Sequence, residues 1–234
     1  MKKIPLIPLI IAIAMVILMI NLGFWQLRRA AEKQELLTLL TDENITRVHV
    51  SSQLEELPRY ANVEIHGEFL SSPQFILENQ IHNKEVGVHV FTPFKISGLD
   101  TIIMVNRGWI SNNQFNNNLT KIQSKPELIK GKLNSSPQVG LRLGEIKLKD
   151  LDIQNVTYYE EDKINNLLQQ KLCSHSPCEI SPNILLLDES VPGGFKREWH
   201  PVIMPPAKHK AYALQWFGMS FVLVIVFIFW VRKL

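Results

Sequence analysis

Two long stretches without a charged residue bracket this chain and limit its folding choices more than anything else in it. The first runs from Ile4 to Leu27, the second from Ala211 to Val231. About 20 apolar residues in a helix, rising 1.5 Å each, cross the roughly 30 Å hydrocarbon core of a bilayer. Residues 4–27 and 211–231 are therefore expected to be transmembrane helices, which excludes a simple soluble enzyme. The first stretch does not read as a cleaved signal. Its apolar core is too long, and Phe24, Trp25 and Gln26 stand where small residues are needed. No Arg- and Ser-rich leader precedes it, so a mitochondrial precursor is not expected. Trp216 and Trp230 lie near opposite ends of the second stretch, as an aromatic belt requires.

Two spans put the short tails on one side and residues 28–210 on the other. Lys2, Lys3, Arg232 and Lys233 face Arg28, Arg29, Lys208 and Lys210 across the bilayer, so the cation rule gives little direction. The expected arrangement is a multi-pass protein of the bacterial inner membrane with its large domain in the periplasm. Tails this short carry no signalling module, which weighs against a receptor. Lys and Arg number 25 against 22 Asp and Glu with no extended basic run, so nucleic acid is not an expected partner.

The middle of the chain is β-rich. Asn62 to Phe69 alternates polar and apolar residues, the period of a half-buried strand. Phe75 to Ile81, Val86 to Phe94 and Ile102 to Ile110 follow at similar intervals, separated by turn residues. Lys130 to Leu133, Val156 to Tyr159 and Asn183 to Leu187 are further strand candidates. Glu160 to Leu172 predicts a helix with Ile164, Leu167, Leu168 and Leu172 on one face. Residues 28–210 thus read as a β-rich α+β domain, an antiparallel sheet or barrel-like, between two transmembrane helices. A helix is expected to run on from the first span through Leu40.

Enzyme signatures are absent: no G-x-S-x-G, H-E-x-x-H or Gly-rich phosphate loop occurs, and the expectation is a protein without catalytic residues. Cys173-Ser174-His175-Ser176-Pro177-Cys178 allows three readings: a soft-metal site for copper or zinc, a local disulfide, or two free thiols. Two cysteines are too few for a disulfide scaffold.

More chemistry sits at the membrane junctions. Trp25, Gln26, Arg29 and Lys33 follow the first span, with Gln26, Arg29 and Lys33 on one helical face. His209, Tyr212 and Trp216 enter the second at the same spacing. A neutral imidazole ligates haem iron, aromatic rings cover a porphyrin face, and Arg or Lys pairs with propionates. The plain alternative is that these residue types are the usual ones at a membrane interface. Gly23 would let the two spans approach, bringing Gln26 and Arg29 near His209 and Tyr212.

These residues also carry a family resemblance. Gly23-Phe24-Trp25-Gln26-Leu27-Arg28-Arg29 with Lys33, Val105-Asn106-Arg107-Gly108-Trp109-Ile110 preceded by Gly87 and Thr92-Pro93-Phe94, and His209-Lys210-Ala211-Tyr212-Ala213-Leu214-Gln215-Trp216-Phe217-Gly218 resemble, in order, the motifs of the surfeit locus protein 1 family. The resemblance implies an assembly factor for cytochrome c oxidase that binds haem a and passes it to the core subunit of the oxidase, with His209 as the metal ligand. Trp25, Gln26, Arg29, Tyr212 and Trp216 would complete the cofactor-binding site. Expected partners are the oxidase core subunit, membrane lipid and a haem a synthase. Two other readings remain open here: a cofactor-free scaffold for an assembly intermediate, and copper delivery through Cys173 and Cys178. For Arg107-Gly108-Trp109 the residues themselves favour a structural role, with Gly108 at a bulge and Trp109 in the core.

Overall fold

The computed structural model describes residues 6–41, 44–116, 121–122, 124–138, 144–174, 176–199 and 204–233. The chain divides into two units, one of residues 1–41 with 201–234, the other of residues 42–200.

The first unit is a helix pair. Helix α1 spans Leu6–Thr41 and the final helix, α4, spans Pro206–Lys233. Both are long and apolar enough to cross a membrane, and only 6% of each apolar window is buried, unlike the core helix of a soluble fold. Helix α1 continues without a break past Arg28 and Arg29, as its run of good helix formers predicts. The two helices are antiparallel: Leu9 to Ile17 lie beside Leu223 to Ile228, and Gly23 meets Phe217. The better-buried positions of α1 recur at 9, 12, 16, 19, 23, 26 and 30, and those of α4 at 206, 209, 213, 216, 220, 223 and 227. Alternating steps of three and four define a heptad seam. Its most buried members are small or short: Gly23, Ala30, Pro206, Ala213 and Ser220. Small residues at these positions let the two helix backbones approach closely. A Cβ on Gly23 would fall 2.4 Å from the Phe217 ring, and that ring also meets Phe24 edge-on at 5.4 Å.

The second unit contains β1 (Ile45–Arg47), α2 (Ser52–Glu56), β2 (Asn62–Phe69), β3 (Gln74–His82), β4 (Glu85–Ile96), β5 (Thr101–Ser111), β6 (Pro126–Ser135), β7 (Ile153–Val156), α3 (Glu161–Leu172) and β8 (Glu179–Leu187). The strand order is β1-β2-β6-β8-β5-β4-β3-β7, and β2 also pairs with the far end of β4. That extra pairing, Gly67–Phe69 against Phe94–Ile96, closes β2, β6, β8, β5 and β4 into a five-stranded barrel. Strands β3 and β7 extend the sheet beyond it. The sheet is mixed rather than purely antiparallel: β1–β2, β3–β7 and β5–β8 run parallel.

The alternation in the sequence becomes inside and outside. Val63, Ile65 and Phe69 of β2 meet Phe94 and Ile96 of β4, Ile103 and Val105 of β5, Ile129 and Leu133 of β6, and Leu185 and Leu187 of β8. Phe69 and Phe94 pack edge to face at 4.9 Å. Replacing a buried phenylalanine here by alanine would cost about 3–5 kcal/mol. Every residue of β5 is buried, because both faces of this strand are covered. Helix α3 packs beside β8 and buries Ile164 and Leu168 of its expected face. The β7 strand ends at Val156, where the alternation had placed a strand's beginning.

Candidate functional site

The polar centre of the helix unit is one contact across the seam. His209 Nδ1 lies 2.7 Å from Gln26 Oε1. Both residues sit at seam positions, three after Gly23 and three after Pro206, which is why the antiparallel register brings them together. The other ring nitrogen, Nε2, is fully buried and has no hydrogen-bond partner among the described residues. Buried polar atoms are nearly always paired, so an orphan of this kind calls for an explanation.

The remaining junction residues are arranged differently from the expectation. Trp216 is half-buried on the seam, one heptad beyond His209. Tyr212 is 44% exposed and lies off the seam, where Ala213 takes the inner position. The phenol therefore does not share the inner stripe with His209 and Trp216. Trp25 is exposed, and the Arg29 guanidinium stands 5.8 Å from its ring centroid. Arg29 also pairs with Glu32 at 2.8 Å, so this cation already has an acidic neighbour. Lys208 and Lys210 are exposed. The approach of the helices at Gly23 and of Gln26 to His209 is expected from the sequence; the heptad order of the seam is what sequence reasoning missed. The seven-residue recurrence of Gly23 with Ala30, and of Pro206, Ala213 and Ser220, is the signal that would have found it.

In the β unit, the Asn106-Arg107-Gly108-Trp109 segment makes a bulge opposite β4, where the register jumps between His89 and Phe91. Gly108 has φ +113°, a region open to glycine, and a Cβ there would lie 2.6 Å from Lys196 O. Arg107 is buried; its Nε and Nη2 donate to Gly193 O at 2.8 and 2.6 Å, and its guanidinium lies 5.2 Å from the Phe195 ring. Burial pushes its pKa down to about 10, opposed by the Glu127 carboxylate, and it remains a cation. Trp109 Nε1 donates to Gln80 O at 2.9 Å. These contacts tie β5 to the 193–196 segment through Arg107 and to β3 through Trp109, in keeping with a structural role. Beside them His89 stacks on Trp199 at 5.9 Å, with Nδ1 3.2 Å from Asn106 Oδ1. Burial holds His89 well below its ordinary 6.5, at about 4, despite that hydrogen bond.

Cys173 and Cys178 are joined as a disulfide between the end of α3 and the start of β8. Of the three sequence readings the structure takes this one, and the pair in this state offers no thiolates to copper or zinc. His175 lies outside the described residues. Among the described residues no group of three His, Cys, Asp or Glu side chains could hold a metal ion. Of the seam positions named above, His209 is the one that carries a His, Cys, Asp or Glu side chain, a single imidazole. That donor set fits iron whose other ligands come from a porphyrin rather than a bare ion.

The pattern of the SURF1 family matches residues 13–221, from within α1 to within α4. The chain belongs to the SURF1 family. Similar proteins include a SURF1-like protein of Rickettsia conorii, 26% identical over 92% of this chain and 88% of its own length. Another, from Rickettsia bellii, is 28% identical over 90% and 85%. A SURF1-like protein of Caenorhabditis elegans is 25% identical over 91% and 70%. The SURF1 family is associated with cytochrome oxidase assembly. Its match takes in both halves of the helix pair as well as the barrel.

Proposed function

We propose that this SURF1 family chain is a membrane-anchored assembly factor for a haem–copper cytochrome c oxidase. It carries haem a at the helix seam for delivery to the oxidase core subunit. The observation that carries the reading is the buried Nε2 of His209, without a partner among the described residues and set beside Gln26 on paired apolar helices. In this reading His209 would ligate the iron, and Trp216 on the seam with Trp25, Gln26, Arg29 and Tyr212 nearby would hold the porphyrin. A carrier has to release its cargo, and one protein ligand suits that better than two. A haem a synthase is the natural donor, since haem a is too apolar to travel through water.

Membrane placement is part of the same proposal. Residues 4–27 and 211–231 span the bilayer, and residues 28–210 lie in the periplasm of a bacterial cell. Apolar helices exposed along most of their length support the span, since a contiguous apolar surface of this size is unsuited to water. The Cys173–Cys178 disulfide supports an oxidising compartment for the β unit. The membrane boundary on α1 comes from Arg28 and Arg29 rather than from a helix end.

The test is purification from a host that makes haem a, followed by a visible spectrum. The parent should carry haem a and His209→Ala should lose most of it while keeping its folded β unit. Equal haem content in the two proteins would remove His209 from the site. Oxidase subunits recovered with a haem-free parent would instead favour a scaffold without a cofactor.

A further inference from the structure

We infer that Gln26 is a positioning residue that fixes the tautomer of His209, holding the proton on Nδ1 so that Nε2 presents a bare lone pair to a porphyrin iron. This rests on the reading of His209 as the ligand.

A neutral imidazole has one N–H. The Gln26 atom facing Nδ1 at 2.7 Å is the amide oxygen, which can only accept. Nδ1 therefore carries the proton and Nε2 does not. Turning the amide over would reverse this and bury an Nε2–H donor with no acceptor among the described residues. Free histidine in water favours the proton on Nε2, so the seam has to hold the ring in its less common form. The placement makes this credible: a polar amide on a helix–helix seam in lipid is costly unless it is paired. Ligating histidines characteristically donate their second N–H to an oriented acceptor, and losing that acceptor costs 10–100-fold in metal affinity.

The choice of a neutral amide has a further consequence. A carboxylate at the same place would hold the same tautomer and make the ring a stronger base, hence a tighter ligand. Glutamine fixes the geometry without that gain, which suits a protein whose cargo must leave.

The test begins on the full-length apoprotein in detergent, with nitrogen-15 label in histidine, at mildly alkaline pH where histidine side chains are neutral. The His209 signal, assigned by its loss in His209→Ala, should show a protonated Nδ1 and an unprotonated Nε2. In Gln26→Leu the proton should move to Nε2, and in Gln26→Glu it should stay on Nδ1. Ferric haem b is then added as probe. Gln26→Leu should bind it about 10–100-fold more weakly than the parent. Gln26→Glu should bind it tightly and release it more slowly to apomyoglobin. A parent carrying the proton on Nε2, or a Gln26→Leu protein matching the parent in tautomer and affinity, would overturn the inference. Gln26→Asn, one methylene too short, replaces the leucine variant if that protein does not fold. If His209→Ala binds haem b as well as the parent, the ligand assignment fails, whereas the tautomer measured on the apoprotein stands or falls separately.

Discussion

A histidine packed flat against an indole inside a sheet is a proton site that folding has made expensive to fill. His89 lies against Trp199, bonds Asn106 and has the His82 ring as a nearby second imidazole. Burial lowers its pKa from 6.5 to about 4. The sign follows from linkage. Between those values the unfolded chain binds the proton and the folded protein does not, so acid favours unfolding. The stability of the β unit should be level above pH 6.5 and fall by up to about 3 kcal/mol on acidification towards pH 4. His89→Gln should flatten that limb, as read by unfolding free energies of the full chain in detergent at several pH values. Single residues also mark where sequence reading stops. His209, Tyr212 and Trp216 share a broad helical arc, but their arrangement depends on the partner helix. With about 100° per residue, Tyr212 lies about 60° to one side of His209 and Ala213 about 40° to the other. The seam runs through Ala213, because a small residue admits the neighbouring backbone, and Tyr212 is left outside.

At Gly23 helix α1 lies close against α4, and the side chain that fills the space is Phe217. Gly23→Ala should overpack this point and cost about 1–3 kcal/mol. Phe217→Leu in the same chain should recover part of the loss. A double-mutant cycle of unfolding in detergent micelles, followed by tryptophan fluorescence, would show the non-additivity expected of residues in contact. Strictly additive effects would mean that the two do not meet. Elements of this kind differ in how openly the sequence displays them. The two long helices show themselves by absence of charge, and β2 to β5 by their alternation. Strand β1, three residues long, and α2, five residues long, are too short to build a periodic signal. The parallel pairing of β5 with β8 and the closure of β2 onto β4 join strands remote in sequence. Local pattern carries no record of such neighbours. Gln26 and His209 were visible as polar residues at a boundary, whereas their hydrogen bond is a product of interhelical register.

The chain as a whole is a helix pair with a folded unit inserted between its two members. If the inserted unit is exported, Cys173 and Cys178 should resist maleimide labelling in intact cells until a reductant is added. Ready labelling without reductant would place the unit in a reducing compartment and overturn the periplasmic assignment. The insertion also bears on biosynthesis. Gln26 and His209 are 183 positions apart, and the entire barrel is translated between them. A nascent chain can insert its first helix and complete its barrel before the imidazole has left the ribosome. In the proposed reading the cargo site therefore forms only after the barrel has been translated, and a product truncated before His209 would lack the imidazole that is to hold a porphyrin.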